Sequence, residues 1–122
     1  MNLEEFEAEV RRVLEELPGE YREILSREEV EVICRDRVPQ AVRERHSGRT
    51  VLGIFTGISR EKAGRFSSSV EPTRIEIYRE SFERVYGTGI TERMRDNIYR
   101  TVVHEIAHYL GFDEESIRRL GY

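Results

Sequence analysis

The sequence predicts a domain that mixes α-helices with a few short β-strands. Three observations carry this expectation. Apolar residues recur at three- and four-residue steps over residues 3–17 and again over 91–110, the period of amphipathic helices. Short runs at residues 30–34, 51–55 and 74–78 read as strands, and the alternation is clearest in Arg74-Ile75-Glu76-Ile77-Tyr78. A length of 122 residues suits one domain spanning residues 1–122.

In chain order, Leu3, Phe6, Val10, Val13, Leu14 and Leu17 give the first helix one apolar face. Asn2 is its expected N-cap, and Glu5 completes a capping box. Pro18-Gly19 stops it. Residues 21–25 are expected to add a short helical turn. Val30, Val32 and Cys34 alternate with Glu31 and Ile33 in the first strand. Residues 36–49 are charged and carry Pro39 and Gly48, so they read mostly as loop. After the second strand, residues 57–72 read as a long mobile loop of the kind that often serves function. Residues 81–86 read as a short helix closed by Gly87-Thr88-Gly89. In the long helix of residues 91–110, Met94, Ile98, Val102, Ile106 and Leu110 form the core face. Gly111 is then the C′ residue. Asp113 is the N-cap of a last short helix over residues 113–120.

Composition excludes several classes of function. Twenty basic and 24 acidic residues give a net charge of −4, and the charged residues are interleaved without a basic stripe, so nucleic acid is not an expected partner. No run approaches the roughly 18 apolar residues of a membrane span. The acidic N-terminus, Met1-Asn2-Leu3-Glu4-Glu5, lacks the apolar segment of a secretory signal. One cysteine, Cys34, allows no intramolecular disulfide, so a cytoplasmic location is expected. Oligomeric state is not legible.

The chemistry is concentrated in His104-Glu105-Ile106-Ala107-His108, an H-E-x-x-H motif within the long helix. Four residues turn a helix by about 400°, which brings the two histidines onto one face a turn apart. Both imidazoles can then bind one Zn²⁺. Glu105, about 100° around the helix, can reach a metal-activated water as general base. The motif points to metal-assisted hydrolysis, with a peptide or protein as substrate. The competing reading is a partly exposed Glu/His helix face with no metal.

Taken together, the Gly-x-Phe-x-Gly element (Gly53-Ile54-Phe55-Thr56-Gly57), Arg74-Ile75-Glu76-Ile77-Tyr78 and the run Thr101-Val102-Val103-His104-Glu105-Ile106-Ala107-His108-Tyr109-Leu110-Gly111 resemble the bacterial family of minimal zincin-like metallopeptidases. The resemblance covers most of the chain and is strongest from Arg74 onward. It implies a compact α+β zincin-like fold in which a small mixed β-sheet packs on the active helix. It also implies an edge strand beside the cleft, for which residues 74–78 are the expected candidate. An extended peptide would add to that strand through main-chain hydrogen bonds.

A catalytic zinc takes three protein ligands and a water. A ligand from a separate, distant helix barely fits the fourteen residues that follow His108. In the alternative layout, H-E-x-x-H-x-x-G-x-x-H/D, Gly111 is in register and Glu114 occupies the ligand position, although it is neither His nor Asp. Glu114 is either the third ligand or a first-turn acid that favours a helix N-terminus. Asp113 or water could take the third position instead. Tyr78, Tyr86, Tyr99 and Tyr109 are candidate oxyanion donors, and Arg74 and Arg79 candidate holders of a substrate carboxylate. His46 is expected in solvent and Cys34 in the core. Three functions compete: a zinc peptidase, a non-catalytic metal- or peptide-binding regulatory module, and a metal-dependent hydrolase of RNA or a small amide.

Overall fold

Residues 1–57 and 73–121 are described by the computed structural model. The predicted loop after Gly57 lies, from residue 58 to 72, outside the described residues. The first helix, α1 (Leu3–Glu16), begins at the expected capping box: Asn2 accepts from the Glu5 backbone N–H at 2.8 Å and Glu5 accepts from that of Asn2 at 3.2 Å. Pro18 ends it and also starts α2 (Gly19–Arg27), since its carbonyl accepts from Tyr21 and Arg22. The single turn expected there is therefore a full helix.

Strand β1 (Glu31–Arg35) follows, then α3 (Gln40–Arg45), where the sequence reading placed a loop. Its only buried residue is Val42, which packs with Val51 and Tyr78 in a small second core. One buried residue in six gives no readable period, which is why charge and Pro39 dominated the reading. Strands β2 (Gly53–Thr56) and β3 (Arg74–Tyr78) complete the sheet. Helix α4 (Arg79–Tyr86) ends at Gly87, whose φ of +92° suits glycine. The long helix α5 (Glu92–Tyr109) and the short α6 (Glu114–Arg119) close the chain.

The sheet order is β1-β3-β2, with β1 parallel and β2 antiparallel to β3. The fold is thus α+β with a small mixed sheet. One expectation fails: β3 is the central strand, not the edge. Four of its five residues are buried. Ile75 and Ile77 join the main core with α1 and α5, while Glu76 and Tyr78 are buried on the opposite face. The strand that borders the cleft is β2. Alternation within β3 could not reveal this, because its buried polar residue, Glu76, looks solvent-facing in sequence.

Glu76 is held by a closed network. One carboxylate oxygen accepts from Arg35 Nε at 2.8 Å and Arg74 Nε at 3.0 Å, and the other from the Tyr78 hydroxyl at 2.8 Å. Burial alone would raise its carboxyl. The Tyr78 and Arg35 hydrogen bonds and the charges of Arg35 and Arg74 outweigh that and hold it below the usual carboxylate range. A depressed folded pKa contributes stability that is present above the unfolded carboxyl pKa and lost as pH falls through the folded one. Glu76→Gln is therefore expected to cost about 1–3 kcal/mol at pH 7, the range for hydrogen bonds to a charged group, since both arginines are partly exposed. The cost should shrink below pH 4.5, the ordinary value for this carboxyl. Urea unfolding at pH 7 and pH 3 checks this; an equal cost at both would show that ionisation is irrelevant.

Of the predicted core face of α5, Met94, Ile98, Val102 and Ile106 are fully buried, whereas Leu110, the C-cap, is half-buried at the edge of the core. Gly53 lets β2 lie directly on this helix. A Cβ there would stand 2.9 Å from the Glu76 carbonyl oxygen and 3.1 Å from Thr101 Cγ2. Gly53→Ala is accordingly expected to destabilise by about 1–3 kcal/mol through overpacking, read as a lower urea midpoint. An unchanged midpoint would mean that the strand shifts freely. Among the described residues, no helix is long and apolar enough to cross a membrane.

Candidate metal centre

The candidate centre is built by the end of α5 and the turn after it. The helix starts at Thr91, whose side chain accepts from Met94 N–H at 3.1 Å, and it runs unbroken through the motif. His104 and His108 lie one turn apart, ring centroids 4.7 Å from each other, with their Nε2 atoms 3.1 Å apart. The helix then closes as predicted. Gly111, at φ +97°, donates to the His108 carbonyl, and Phe112 donates to that of Ala107. This pair of bonds reverses the chain. Asp113 caps α6 by accepting from Ser116 N–H at 2.8 Å, and Ile117 anchors it as a fully buried residue. Arg100, on α5, donates to the Gly121 carbonyl at 2.7 Å and ties down the far end.

The reversal delivers Glu114 to the histidines. Its Oε1 lies 2.7 Å from His108 Nε2 and 3.3 Å from His104 Nε2. Burial opposes ionisation of this carboxyl, but the two imidazoles outweigh it and hold its pKa below the usual range. Asp113 is committed to its cap, so the structure brings Glu114, not Asp113, to the histidines.

Glu105 stands apart in character. It is buried, and its carboxylate accepts a hydrogen bond from the Phe55 backbone N–H on β2. Burial first, and the Glu114 charge second, push its carboxyl up to about 8, against the pull of that N–H. His104, Glu105 and His108 each offer a ligand atom within 4.8 Å of one another, so this trio also has the composition of a metal site. The trio with Glu114 is the better donor set. Its three atoms are mutually 2.7–3.3 Å apart, close to the roughly 3.3 Å edge of a tetrahedron with bonds of about 2.05 Å. Glu105 is instead tied to Phe55. Two imidazole nitrogens and a carboxylate oxygen turned toward one point are a donor set suited to zinc.

A cleft of about 510 Å³ opens over this point, between β2 and α5, a size usual for ligand sites. Its wall includes Gly53, Ile54 and Phe55, and it extends past Thr101 to Arg100, Arg49 and His46. The tyrosines raised as oxyanion donors do not line it. Tyr78 donates to Glu76, Tyr109 donates to Glu28, and Tyr86 packs on Phe82. Arg74 and Arg79 are likewise engaged elsewhere, with Glu76 and with Asp36 and Glu83. His46 is exposed, as expected, yet borders the cleft. Cys34 is half-buried, and burial pushes its thiol up to about 12. The sequence reading missed Arg100 and Phe55. Arg100 is four residues before His104 on the same helical row and could have been found. Phe55 acts through its main chain, which leaves no sequence signal.

A helix bearing two histidines and a glutamate, packed on a small mixed sheet whose edge strand among the described residues lies beside it, defines a zincin-like hydrolase fold. The family model described as a zincin-like metallopeptidase matches residues 27–122, and the chain belongs to that family. A search of curated proteins finds no match. Membership implies a metal, typically zinc, and a peptide substrate.

Proposed function

We propose that this chain is a zinc-dependent peptidase in which His104, His108 and Glu114 hold the ion and Glu105 is the general base. The observation that carries the proposal is the convergence of the Glu114 oxygen on both histidine Nε2 atoms, with a separately held Glu105 beside them. Zinc, when bound, supplies a Lewis acid that polarises the scissile carbonyl and acidifies the attacking water. Glu105 takes the proton from that water and passes it to the leaving amine. A carboxyl raised to about 8 is mostly protonated at neutral pH, and a neighbouring dication favours the carboxylate it needs to be. The Phe55 N–H keeps that carboxylate aimed.

Strand β2 serves the substrate. Tyr78 N–H donates to the Leu52 carbonyl, and alternation along an antiparallel pair then turns the main-chain groups of Gly53 and Phe55 away from β3. The Phe55 N–H goes to Glu105. The Gly53 groups and the Phe55 carbonyl lie along an edge with no partner strand among the described residues, where an extended peptide can pair. Cytoplasmic action is part of the proposal, consistent with a lone, half-buried cysteine.

The second reading, a non-catalytic binding module, is favoured by the same Glu105 carboxyl: without a cation it is mostly protonated at neutral pH. Metal content after chelator-free purification separates the two. About one zinc per wild-type chain, lost in His104→Ala, is expected. Absence of metal even after zinc is added would pass the lead to the module.

A further inference from the structure

We infer that the cleft selects substrates by a carboxylate lying within a few residues of the scissile bond, received by Arg49 and Arg100. The inference rests on the peptidase reading and adds a substrate class to it.

The chain as a whole is acidic, at −4, yet its cleft is polarised the other way. Among the described residues, both acids that line the cleft, Glu105 and Glu114, belong to the centre itself. Apart from His104 and His108 of the centre, every other ionisable lining residue among the described residues is basic or a histidine: His46, Arg49 and Arg100. The directions of β2 and α5 set these three toward one end. Arg100 is one helical row from His104, about 6 Å along the axis. Gly53 lies against Thr101 and Phe55 against Glu105, so β2 runs in the same direction as α5. The chain before β2, which carries Arg49, therefore extends toward the Arg100 end.

Two features fit these arginines to a ligand. Arg49 is exposed and has no acidic partner among the described residues. Arg100 uses Nε on Asp96 and Nη1 on Gly121, which leaves Nη2 without a partner among them. Guanidinium groups bind carboxylates through paired, charge-assisted bonds. A peptide pairing with β2 in the antiparallel sense, the slightly more stable one, points its C-terminal side toward Arg49 and Arg100. The carboxylate is then either an Asp or Glu side chain on that side or the free C-terminus of the peptide.

The test measures fluorescence anisotropy of labelled short alanine-based peptides on zinc-loaded Glu105→Gln protein. The set carries one Glu or one Gln at each position in turn, each as free acid and as amide. The acidic member is expected to bind about tenfold more tightly than its neutral partner at low salt. Glu against Gln in the amide series reports the side chain; acid against amide in the Gln series reports the C-terminus. The preference should fall toward parity when Arg49→Gln is added, reverse with Arg49→Glu, and fade in high salt. Arg100 is left intact because it also ties down α6. Wild-type protein is then assayed for cleavage of the same peptides. Acid-selective binding without cleavage supports this inference and counts against the peptidase reading. Cleavage or binding indifferent to the carboxylate overturns the inference and leaves the peptidase reading standing. Failure to bind any peptide, or tighter binding of single-stranded RNA, overturns it as well.

Discussion

Glu105→Gln is expected to keep one zinc per chain while kcat falls by roughly 10²–10⁴, the contribution of a positioned general base. The substitution preserves volume and an acceptor for the Phe55 N–H, so the centre should stay assembled. Turnover fails because an amide cannot take the proton of the attacking water. A second readout needs no substrate. The metal-free Glu105 carboxyl is raised to about 8 against an ordinary 4.5, chiefly by burial. The unfolded chain therefore binds fewer protons than the folded one between those values, and wild-type stability falls as pH rises through that window. Glu105→Gln has no such proton to lose. In the presence of a chelator its Tm should exceed that of wild type, with a gap that widens from pH 4.5 to about 8. Full activity in the variant would remove Glu105 from the mechanism, and a gap independent of pH would show that its burial carries no electrostatic cost.

Glu114→Ala is expected to weaken zinc by more than the roughly 10–100-fold typical of losing an outer-shell partner, because it removes one of three donor atoms. Competition with a chromophoric chelator measures this. Glu114→Asp keeps the charge but is a methylene short, so its affinity should fall between the two. If Glu114 were merely a first-turn acid, its loss would cost only the few tenths of a kcal/mol of a helix-dipole interaction and zinc affinity would not move. Glu115→Ala, in the same helical turn, is the control. Its side chain pairs with Arg119, so zinc binding should be unchanged.

These outcomes bear on how far the sequence could be read. The capping box at Asn2, the face of α5, the Gly111 reversal and the Asp113 cap were legible because each is decided within a few residues. A side chain meets a backbone group three positions away, or a positive φ calls for glycine. H-E-x-x-H was legible for the same reason, since helical spacing alone puts two imidazoles on one face. Helix α3 was not, because Val42 meets its partners, Val51 and Tyr78, only across the fold.

By itself, then, the sequence determined the helices other than α3 and the full extent of α2, the strands, the histidine pair and the register that makes Glu114 a candidate. Tertiary structure alone decided that β3 is central and that β2 is the edge among the described residues. A five-residue strand carries no record of how many neighbours it has, and Glu76 is buried only because Arg35, Arg74 and Tyr78 enclose it. Tertiary structure also decided that Glu114 folds back onto the histidines, that the Phe55 N–H meets Glu105, and that Arg49 joins Arg100 at one end of the cleft. Each brings together segments whose separation in space is set by packing, which residue spacing does not encode.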